Sequence, residues 1–301
     1  FIFKKERFNI VHTHTAKAGF IGRIAARLAG ARIVMHTPHG HNFYGYFGSI
    51  GSFMVVFLEK IAAFFADKIT VLTDIEKKEM VVRNICDPRK IVVVRSGVDL
   101  KRYDKAPVDI ESKKKEFGIS AGDLVVGMIS RLDTVKGPGY FIDSIGQVVS
   151  ILPHTKFLII GDGPLKEELI SMSRKLKIDD RVIFTGWRED IDEILSILDV
   201  VVLASLNEAV GRVLLEAGAS AKPVIATDVG GIPEILKKDV TGILVPPGDA
   251  GKIAEAVLSL LRDGQRRLLM GQAARCWVRD NFDENRMFEE IQNLYKDLMK
   301  I

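Results

Sequence analysis

Residues 199–218 read DVVVLASLNEAVGRVLLEAG, and this stretch indicates how the whole chain is built. The apolar run Asp199–Leu203 is typical of a buried strand, and the residues from Gly211 onward have the apolar spacing of a helix. Glu208 follows the strand, and Glu216 lies inside the helix. Ionised carboxylates are pure acceptors that take two hydroxyl donors each. Because parallel sheets bind ligands at the carboxyl ends of their strands, the pair suits a polyhydroxylated ligand; solvated surface charges are the alternative.

The same alternation of β-branched runs and amphipathic stretches continues along all 301 residues, which predicts an α/β fold with mostly parallel strands. The expected strands are Asn9–His12, Ile33–His36, Lys68–Leu72, Ile91–Arg95, Leu124–Ile129, Lys156–Ile160, Arg181–Thr185, Asp199–Leu203, Pro223–Ala226 and Thr241–Val245. The charged run that ends at Lys115 is typical of a linker between two series of strands. We therefore expect a partial first domain over residues 1–106, a second domain over 107–280, and a C-terminal helix over 281–301 that packs back on the first.

Charge is distributed unevenly between these parts. Residues 1–106 carry 18 Lys and Arg against 9 Asp and Glu, whereas the remainder carries 25 against 30. The basic part indicates an anionic partner, and nucleic acid, anionic lipid and a phosphorylated substrate are the open classes. Cys86 and Cys276 form neither a disulfide framework nor a metal-binding spacing. With no membrane-spanning run and no visible signal peptide, we expect a cytoplasmic protein, and the opening without Met indicates a missing N-terminal segment.

Two loops of the second domain carry candidate phosphate ligands. Arg131 and Lys136 follow the strand at Leu124–Ile129, and Pro138 stands where a helix can begin. A rigid guanidinium and a flexible ammonium beside a helix N-terminus can hold a diphosphate, and exposed loop cations are the alternative. Gly161 opens a Gly-Asp-Gly-Pro turn that is too short for the dinucleotide-binding fingerprint. A structural role and a role in lining a ligand are equally open for it.

Two loops of the first domain are rich in histidine. A zinc site is one reading, but the spacing fits no zinc motif, so hydrogen-bonding or acid–base groups fit better. The Asp190-Ile-Asp192 run matches a metal-binding motif, yet it lies at a helix start, where we expect capping. We expect no metal and no cofactor. The candidate residues in the first domain are His14, Lys17, His36, His39 and His41.

Taken together, these residues resemble glycosyltransferase family 4, a large retaining family with the GT-B fold, in which two doubly wound Rossmann-like domains face a cleft. The resemblance covers essentially the whole chain and is strongest at 125–248, with the first domain incomplete. Glu208 and Glu216 match the family's E-x7-E pattern, and Arg131 and Lys136 match its phosphate pair. The turn Gly161–Pro164, the hinge segment 96–99 and the loop 36–41 also have counterparts, with His39 the best match for the cleft histidine.

The resemblance implies a reaction and roles for these residues. The reaction is transfer of a sugar from a nucleotide-diphosphate sugar to a lipid-linked or small polar acceptor, without a metal ion, in cell-surface polysaccharide or glycoconjugate synthesis. Glu208, His39, Arg131 and Lys136 would be catalytic. The donor would bind Glu216, the two cations, the amides near Val210 and Gly211, and Gly161. Acceptor-side candidates are His14, Lys17, His36 and His41. The basic first half would meet the membrane, and no nucleic acid partner is expected.

Two departures from the family pattern matter. Ala209 and Val210 replace the residues that often follow the first glutamate, which puts the identity of the donor sugar in doubt. The family's early glycine-rich loop is also absent, so this chain alone is a candidate for an inactive fragment. A nucleotide-sugar epimerase and a non-catalytic nucleotide-sugar binding module remain alternatives on the same fold. A nicotinamide-dependent dehydrogenase is weaker, because the glycine fingerprint fails.

Overall fold

A computed structural model describes residues 2–40, 48–104 and 108–300. The chain divides into two compact units. The first unit comprises Phe1–Gly97, Glu208–Val210 and Glu284–Ile301, and the second comprises Val98–Asn207 and Gly211–Asp283. The mixed α/β fold with two parallel sheets confirms the predicted two-domain GT-B class.

The first unit is built on a parallel sheet with the strand order β1-β2-β3-β4. Its strands are β1 (Ile10–His14), β2 (Ile33–Thr37), β3 (Lys68–Val71) and β4 (Ile91–Val93), and its first helices are α1 (Ile2–Glu6), α2 (Ala16–Leu28), α3 (Ser49–Phe64) and α4 (Asp74–Val82). Successive strands are neighbours in one direction, so right-handed crossovers place α2, α3 and α4 on one face of this sheet. Thr73 caps α4, because its side chain accepts from Glu76 N–H.

The second unit is built on a six-stranded parallel sheet with the order β10-β9-β8-β5-β6-β7. The strands are β5 (Leu124–Ile129), β6 (Thr155–Ile160), β7 (Val182–Gly186), β8 (Val200–Leu203), β9 (Val224–Thr227) and β10 (Gly242–Val245). The helices are α5 (Leu100–Tyr103), α6 (Ile110–Glu116), α7 (Pro138–Val149), α8 (Lys166–Lys175), α9 (Ile191–Ile197), α10 (Arg212–Ala219), α11 (Ile232–Ile235), α12 (Ala250–Leu261) and α13 (Gly264–Asn281). Its core joins strands of this sheet to α7 and α12.

The prediction of a linker up to Lys115 is wrong for its last part, which forms α6. Asp109 caps this helix, because its side chain accepts from Ser112 N–H. Lys113 is buried and forms ion pairs with Asp190 and Glu193, nearly eighty residues further along the chain. Charged partners thus stabilise a helix whose own sequence has no apolar period.

The last helix, α14 (Glu284–Lys300), packs on the sheet of the first unit. Leu294 and Leu298 contact Ile33 and Met35 of β2. Val34 points the other way, into the cluster that contains Ala26 of α2. The alternation along β2 therefore covers both faces of the four-stranded sheet, with α14 on one face and α2 on the other.

Candidate functional site

The six-stranded sheet reverses its strand order between β5 and β8, and such a switch point leaves a crevice at the carboxyl ends of the strands. The loops that follow these two strands pack tightly together. Leu206 N–H donates to the Val135 carbonyl at 2.7 Å. Gly137 has a φ of 61°, and a Cβ there would collide with the Ala204 carbonyl oxygen. Glycine at this position therefore permits the close approach of the two loops.

The structure places Arg131 and Lys136 on the loop at this switch point. The exposed Arg131 guanidinium pairs with Asp133 at 2.9 Å. The same Asp133 carboxylate accepts from the backbone N–H of Lys136, which ends a short 3-10 turn. One carboxylate thus orders the backbone and the guanidinium of this loop. Glu208 lies two residues beyond Leu206 on the facing loop and is half-buried.

Gly161 has a steric reason to be glycine. Its φ is 135°, and a Cβ would overlap the carbonyl oxygen of Ser130 in the neighbouring loop. Its N–H donates to the Gly186 carbonyl at 2.9 Å, and Ser130 N–H donates to Ile160 O at 3.0 Å. The carboxyl ends of β5, β6 and β7 are therefore joined through backbone contacts that a side chain would break.

A pocket of about 400 Å³ opens at these three strand ends. Trp187 is exposed in its wall, with 74% of its surface accessible. Arg102 and Arg188 lie in the wall with Arg131, so the pocket combines an aromatic ring with guanidinium groups. The lining residues are Arg102, Ile129, Ser130, Arg131, Ile160, Gly161, Trp187, Arg188, Glu189 and Ile191.

Glu216 lies on α10 with 22% of its side chain accessible. Burial raises the pKa of its carboxyl, and the nearby guanidiniums of Arg212 and Arg102 act in the opposite direction. Val210 is buried, and Gly211, with a φ of 65°, directly precedes the first turn of α10. Free backbone N–H groups at a helix start attract anions. Glu216 lies in α10, and Val210 and Gly211 come directly before it, so the three donor-side candidates are at one helix.

The acidic run at α9 makes ion pairs. Asp190 was expected to cap the helix, but its carboxylate pairs with Arg188 and Lys113, which hold its pKa far below the usual range. Asp192 pairs with Arg102 at 2.8 Å. Asp190 is the N-cap residue and Asp192 lies in the first turn, so the acidic run does stand at the expected helix start, although no side-chain cap hydrogen bond forms at Asp190. Among the described residues, no group of three or more His, Cys, Asp or Glu side chains is arranged to hold a metal ion.

In the first unit, three histidine rings lie together at the carboxyl ends of β1 and β2. His14 Nδ1 lies 2.9 Å from His39 Nε2, and the His14 ring stacks on His12. His12 bonds to the Tyr295 hydroxyl at 2.6 Å and to Thr37 Oγ1 at 2.8 Å. Burial lowers the pKa of all three rings, that of His12 to about 4. At neutral pH the cluster is uncharged and can donate or accept hydrogen bonds.

Strained backbone accompanies this cluster. Thr15 has a φ of 63° and His39 a φ of 57°, and a β-branched residue at positive φ is a genuine outlier. Thr15 N–H donates to the Thr37 carbonyl, which joins the two loops. Strain of this kind is concentrated at functional sites. Lys17 is exposed in the first turn of α2, next to Thr15.

His36 is placed differently from the other candidates. Its side chain is fully buried, and a Cβ on Gly19 would collide with the ring. Nδ1 contacts Thr13 Oγ1 at 3.0 Å, and Nε2 lies 4.0 Å from Glu59. Burial, reinforced by Arg23, lowers the pKa of His36 to about 3. A direct contact with an acceptor substrate would need an accessible ring, so the buried position of His36 supports a packing role. His41, the remaining candidate, lies outside the described residues.

Arg102, Trp187 and Arg188 were missed as candidates in the sequence. Trp187 and Arg188 follow β7 directly, and β7 is the edge neighbour of β6. Their position after a strand was a usable signal, but placing them beside Gly161 requires the strand order. Arg102 donates to the Glu189 carbonyl and pairs with Asp192, contacts between residues almost ninety positions apart.

Comparison with known proteins gives consistent matches. Residues 109–277 match the family described as glycosyl transferases group 1, and residues 1–102 match glycosyltransferase family 4. The chain is 32% identical to an Escherichia coli UDP-Gal:alpha-D-GlcNAc-diphosphoundecaprenol alpha-1,3-galactosyltransferase, covering 99% of this chain and 78% of the relative. It is 30% identical to the N-acetyl-alpha-D-glucosaminyl L-malate synthase of Bacillus anthracis, covering 99% of this chain and 77% of that protein.

A solved structure matches in three dimensions as well. The Anabaena protein HepE in complex with UDP-glucose superposes with a TM-score of 0.87 at 26% identity. The match covers 96% of this chain and 79% of the Anabaena chain.

Proposed function

The chain belongs to the glycosyl transferases of group 1, and from that membership we propose that it transfers a sugar from a nucleoside-diphosphate sugar to a lipid-linked or small polar acceptor. The observation that carries the proposal is the packing of the Arg131–Lys136 loop against the Ala204–Leu206 loop at the switch point of the second unit. This packing supports a site for an anionic, hydroxyl-bearing ligand, because the loop with the two cations contacts the loop that leads to Glu208. The Escherichia coli relative named for UDP-Gal, and the neighbour solved with UDP-glucose, support this choice of donor.

We propose that the diphosphate, the ribose and the nucleobase of the donor bind at separate parts of the switch-point crevice. The diphosphate would lie at Arg131, Lys136 and the amides before α10, since cations and free N–H groups both favour its charge. Glu216 would accept from the ribose hydroxyls. The nucleobase would occupy the pocket at Gly161, where the exposed Trp187 ring offers a stacking surface.

The chemistry follows from the charges that develop. When the bond between the anomeric carbon and the diphosphate oxygen breaks, the electron pair leaves with the diphosphate, and the sugar becomes electron-poor. Arg131 and Lys136 would stabilise that departing charge, and preorganised donors of this kind lower the barrier most. Glu208 would contact the donor sugar. Because side chains supply the positive charge, we propose a reaction that needs no metal ion, and we propose retention of the anomeric configuration from the family resemblance.

The neutral histidine cluster of the first unit supports an acceptor role for His14 and His39. An uncharged imidazole can accept the proton of an acceptor hydroxyl or donate to its oxygen. Lys17 beside it would attract a phosphate on a lipid-linked acceptor. The net positive charge of residues 1–106 favours an anionic lipid surface nearby, so we propose peripheral contact with the cytoplasmic face of a membrane. Among the described helices, none is long and apolar enough to cross one.

The test is a donor screen followed by a product assay. The intact protein is mixed with a panel of nucleoside-diphosphate sugars, thermal stabilisation identifies the donor, and mass spectrometry detects transfer with and without a chelator. Glu216→Ala should weaken binding of every donor about equally, whereas Glu208→Ala should reduce turnover more than affinity. Glu255→Ala, on the exposed side of α12, is the matched control.

The alternatives have distinct outcomes in the same assay. Stabilisation by a donor without any transfer identifies a binding module, and a product in which the sugar remains on the nucleotide identifies an epimerase. If neither glutamate variant differs from Glu255→Ala, the assignment of the site is wrong.

A further inference from the structure

One helix of the first unit exposes an unusual amount of apolar surface. Six large apolar side chains of α3 are exposed: Ile50, Phe53, Met54, Phe57, Ile61 and Phe64. The accessible fraction is 68% for Phe53, 79% for Phe64 and 82% for Ile50. Their spacing of three or four residues puts them along one side of the helix for its whole length. We call this side the apolar face of α3. Scattered exposed apolar residues are ordinary, but a continuous stripe of this kind marks an interaction surface.

The orientation of α3 is determined by a buried ion pair. Arg23 of α2, whose side chain is fully buried, donates from Nη1 and Nη2 to the two carboxylate oxygens of Glu59 at 2.7 and 2.9 Å. Val55 and Val56 pack into the apolar cluster of the first unit. The apolar face is therefore held outward because the opposite side of α3 is committed to the core.

The same ion pair determines the charge of the exposed side. Glu59 is the only acidic residue of α3, and it is turned inward to Arg23. Lys60 is the only other charged residue of the helix, and it is exposed next to Phe57 and Phe64 on the helix surface. The exposed side thus combines large apolar groups with one cation and no anion, within a unit that is strongly basic. Exposed apolar groups beside cations favour binding at the interface of anionic membranes.

In the described part of the chain, the layers of the first unit cover only the opposite side of α3. α2 and α3 cover one face of the four-stranded sheet, and α14 covers the other through Leu294 and Leu298. The neighbouring α2 adds exposed Ile21 and Leu28 to the same layer.

We propose that the apolar face of α3, with Lys60, docks the protein on an anionic lipid bilayer. This inference specifies the membrane contact proposed above. It concerns binding alone, in the absence of donor and acceptor, so its failure would leave the transfer reaction untouched, and failure of the transfer reaction would leave the docking standing.

The experiment is flotation of the intact protein with phosphatidylcholine vesicles, with and without phosphatidylglycerol. We expect binding to rise at least about tenfold when the anionic lipid is present and to fall as salt is added. Phe53→Glu combined with Phe57→Glu should reduce binding about a hundredfold, because two aromatic side chains that would enter the membrane interface are lost. Leu268→Glu combined with Leu269→Glu is the matched control, since these residues of α13 are similarly exposed and the charge change is the same.

A second measurement localises the contact. In a Phe57→Trp variant, indole emission should shift to shorter wavelength on addition of anionic vesicles, and the parent should show no such shift. Circular dichroism and the melting temperature verify that the variants fold. Equal flotation of the two double variants, or no flotation of the parent, overturns the proposal. A parent that is dimeric by light scattering and becomes monomeric on Phe53→Glu with Phe57→Glu, without binding vesicles, assigns the face to a second copy of the chain.

Discussion

The carboxyl ends of the two sheets are equipped differently. The four-stranded sheet presents His12, His14 and His39, whose rings bond to one another and to hydroxyl groups and whose pKa values are lowered by burial. The six-stranded sheet presents Arg131 and Lys136 on a loop held in place by glycine contacts. One edge is therefore neutral at physiological pH and suited to hydroxyl groups, and the other is charged and suited to a diphosphate. Under the proposed function, the first edge would receive the acceptor and the second the donor.

Removal of a cation from the charged edge should have the largest effect on activity. Lys136→Ala should lower kcat/KM by about two to three decades, because the departing diphosphate loses a preorganised positive group. Steady-state kinetics with varied donor measures the effect. Lys252→Ala on α12, an exposed lysine paired with Glu255, is the control and should behave like the parent. A change of less than about threefold for Lys136→Ala would show that the charge at this loop does not act in the reaction.

The second prediction concerns the four-stranded sheet, where protonation of buried histidines should lower the stability of the folded protein in acid. The pKa of His12 is about 4 and that of His36 about 3 in the folded protein, against 6.5 in an unfolded chain. As the pH falls below 6.5, the unfolded chain binds protons first, so these groups contribute stability above that pH and lose it below. At about pH 5 each of the two groups should cost up to about 2 kcal/mol, or roughly 4 kcal/mol together, and solvent screening at the partly exposed His12 lowers its share.

Urea unfolding at neutral and acidic pH checks this prediction. His12→Asn should reduce the pH dependence of the unfolding free energy, whereas His154→Asn, at an exposed position in the second unit, should leave it unchanged. Identical pH profiles for the parent and His12→Asn would contradict the proposed neutral state of the cluster.

The third prediction concerns a carboxylate held at some cost to stability. Burial raises the pKa of Glu216, so ionisation destabilises the folded state, and stability declines as the pH rises from the unfolded value through the folded value. Glu216→Gln should therefore stabilise the ligand-free protein at neutral pH while weakening donor affinity about tenfold. Differential scanning calorimetry and titration calorimetry measure the two effects. Glu255→Gln should change neither, and a loss of both stability and affinity in Glu216→Gln would indicate a structural carboxylate instead.

Local patterns in the sequence were enough to predict much of this molecule. The strands, the position of Glu216 on α10 and the tight turn at Gly161 each depend on neighbours within about ten residues, and the structure has them near the predicted places. The roles of these residues in binding and catalysis stay predictions.

What the sequence did not reveal depends on distant partners. α6 is stabilised by pairing of Lys113 with Asp190 and Glu193. Trp187 joins the pocket only because β7 is beside β6. His36 could not be assigned to the interior from periodicity, because both faces of a parallel sheet are covered and alternation does not separate a packed side chain from a functional one.

The smallest predicted effect concerns the single hydrogen bond between Tyr295 of α14 and His12. The Tyr295 hydroxyl of α14 lies 2.6 Å from His12 Nδ1, and the ring edges are in contact. Burial raises the pKa of Tyr295, so its hydroxyl stays protonated and donates to the neutral imidazole, leaving Nε2–H to donate to Thr37 Oγ1. Tyr295→Phe keeps the ring contact and removes only the donor, so it should cost about 1 kcal/mol of unfolding free energy. In a double-mutant cycle with His12→Ala, the coupling should be of the same size at neutral pH and should vanish below about pH 4, where His12 is protonated in the fold and Nδ1 no longer accepts. A coupling that persists in acid would mean that the ring packing, and not the hydrogen bond, joins α14 to the histidine cluster.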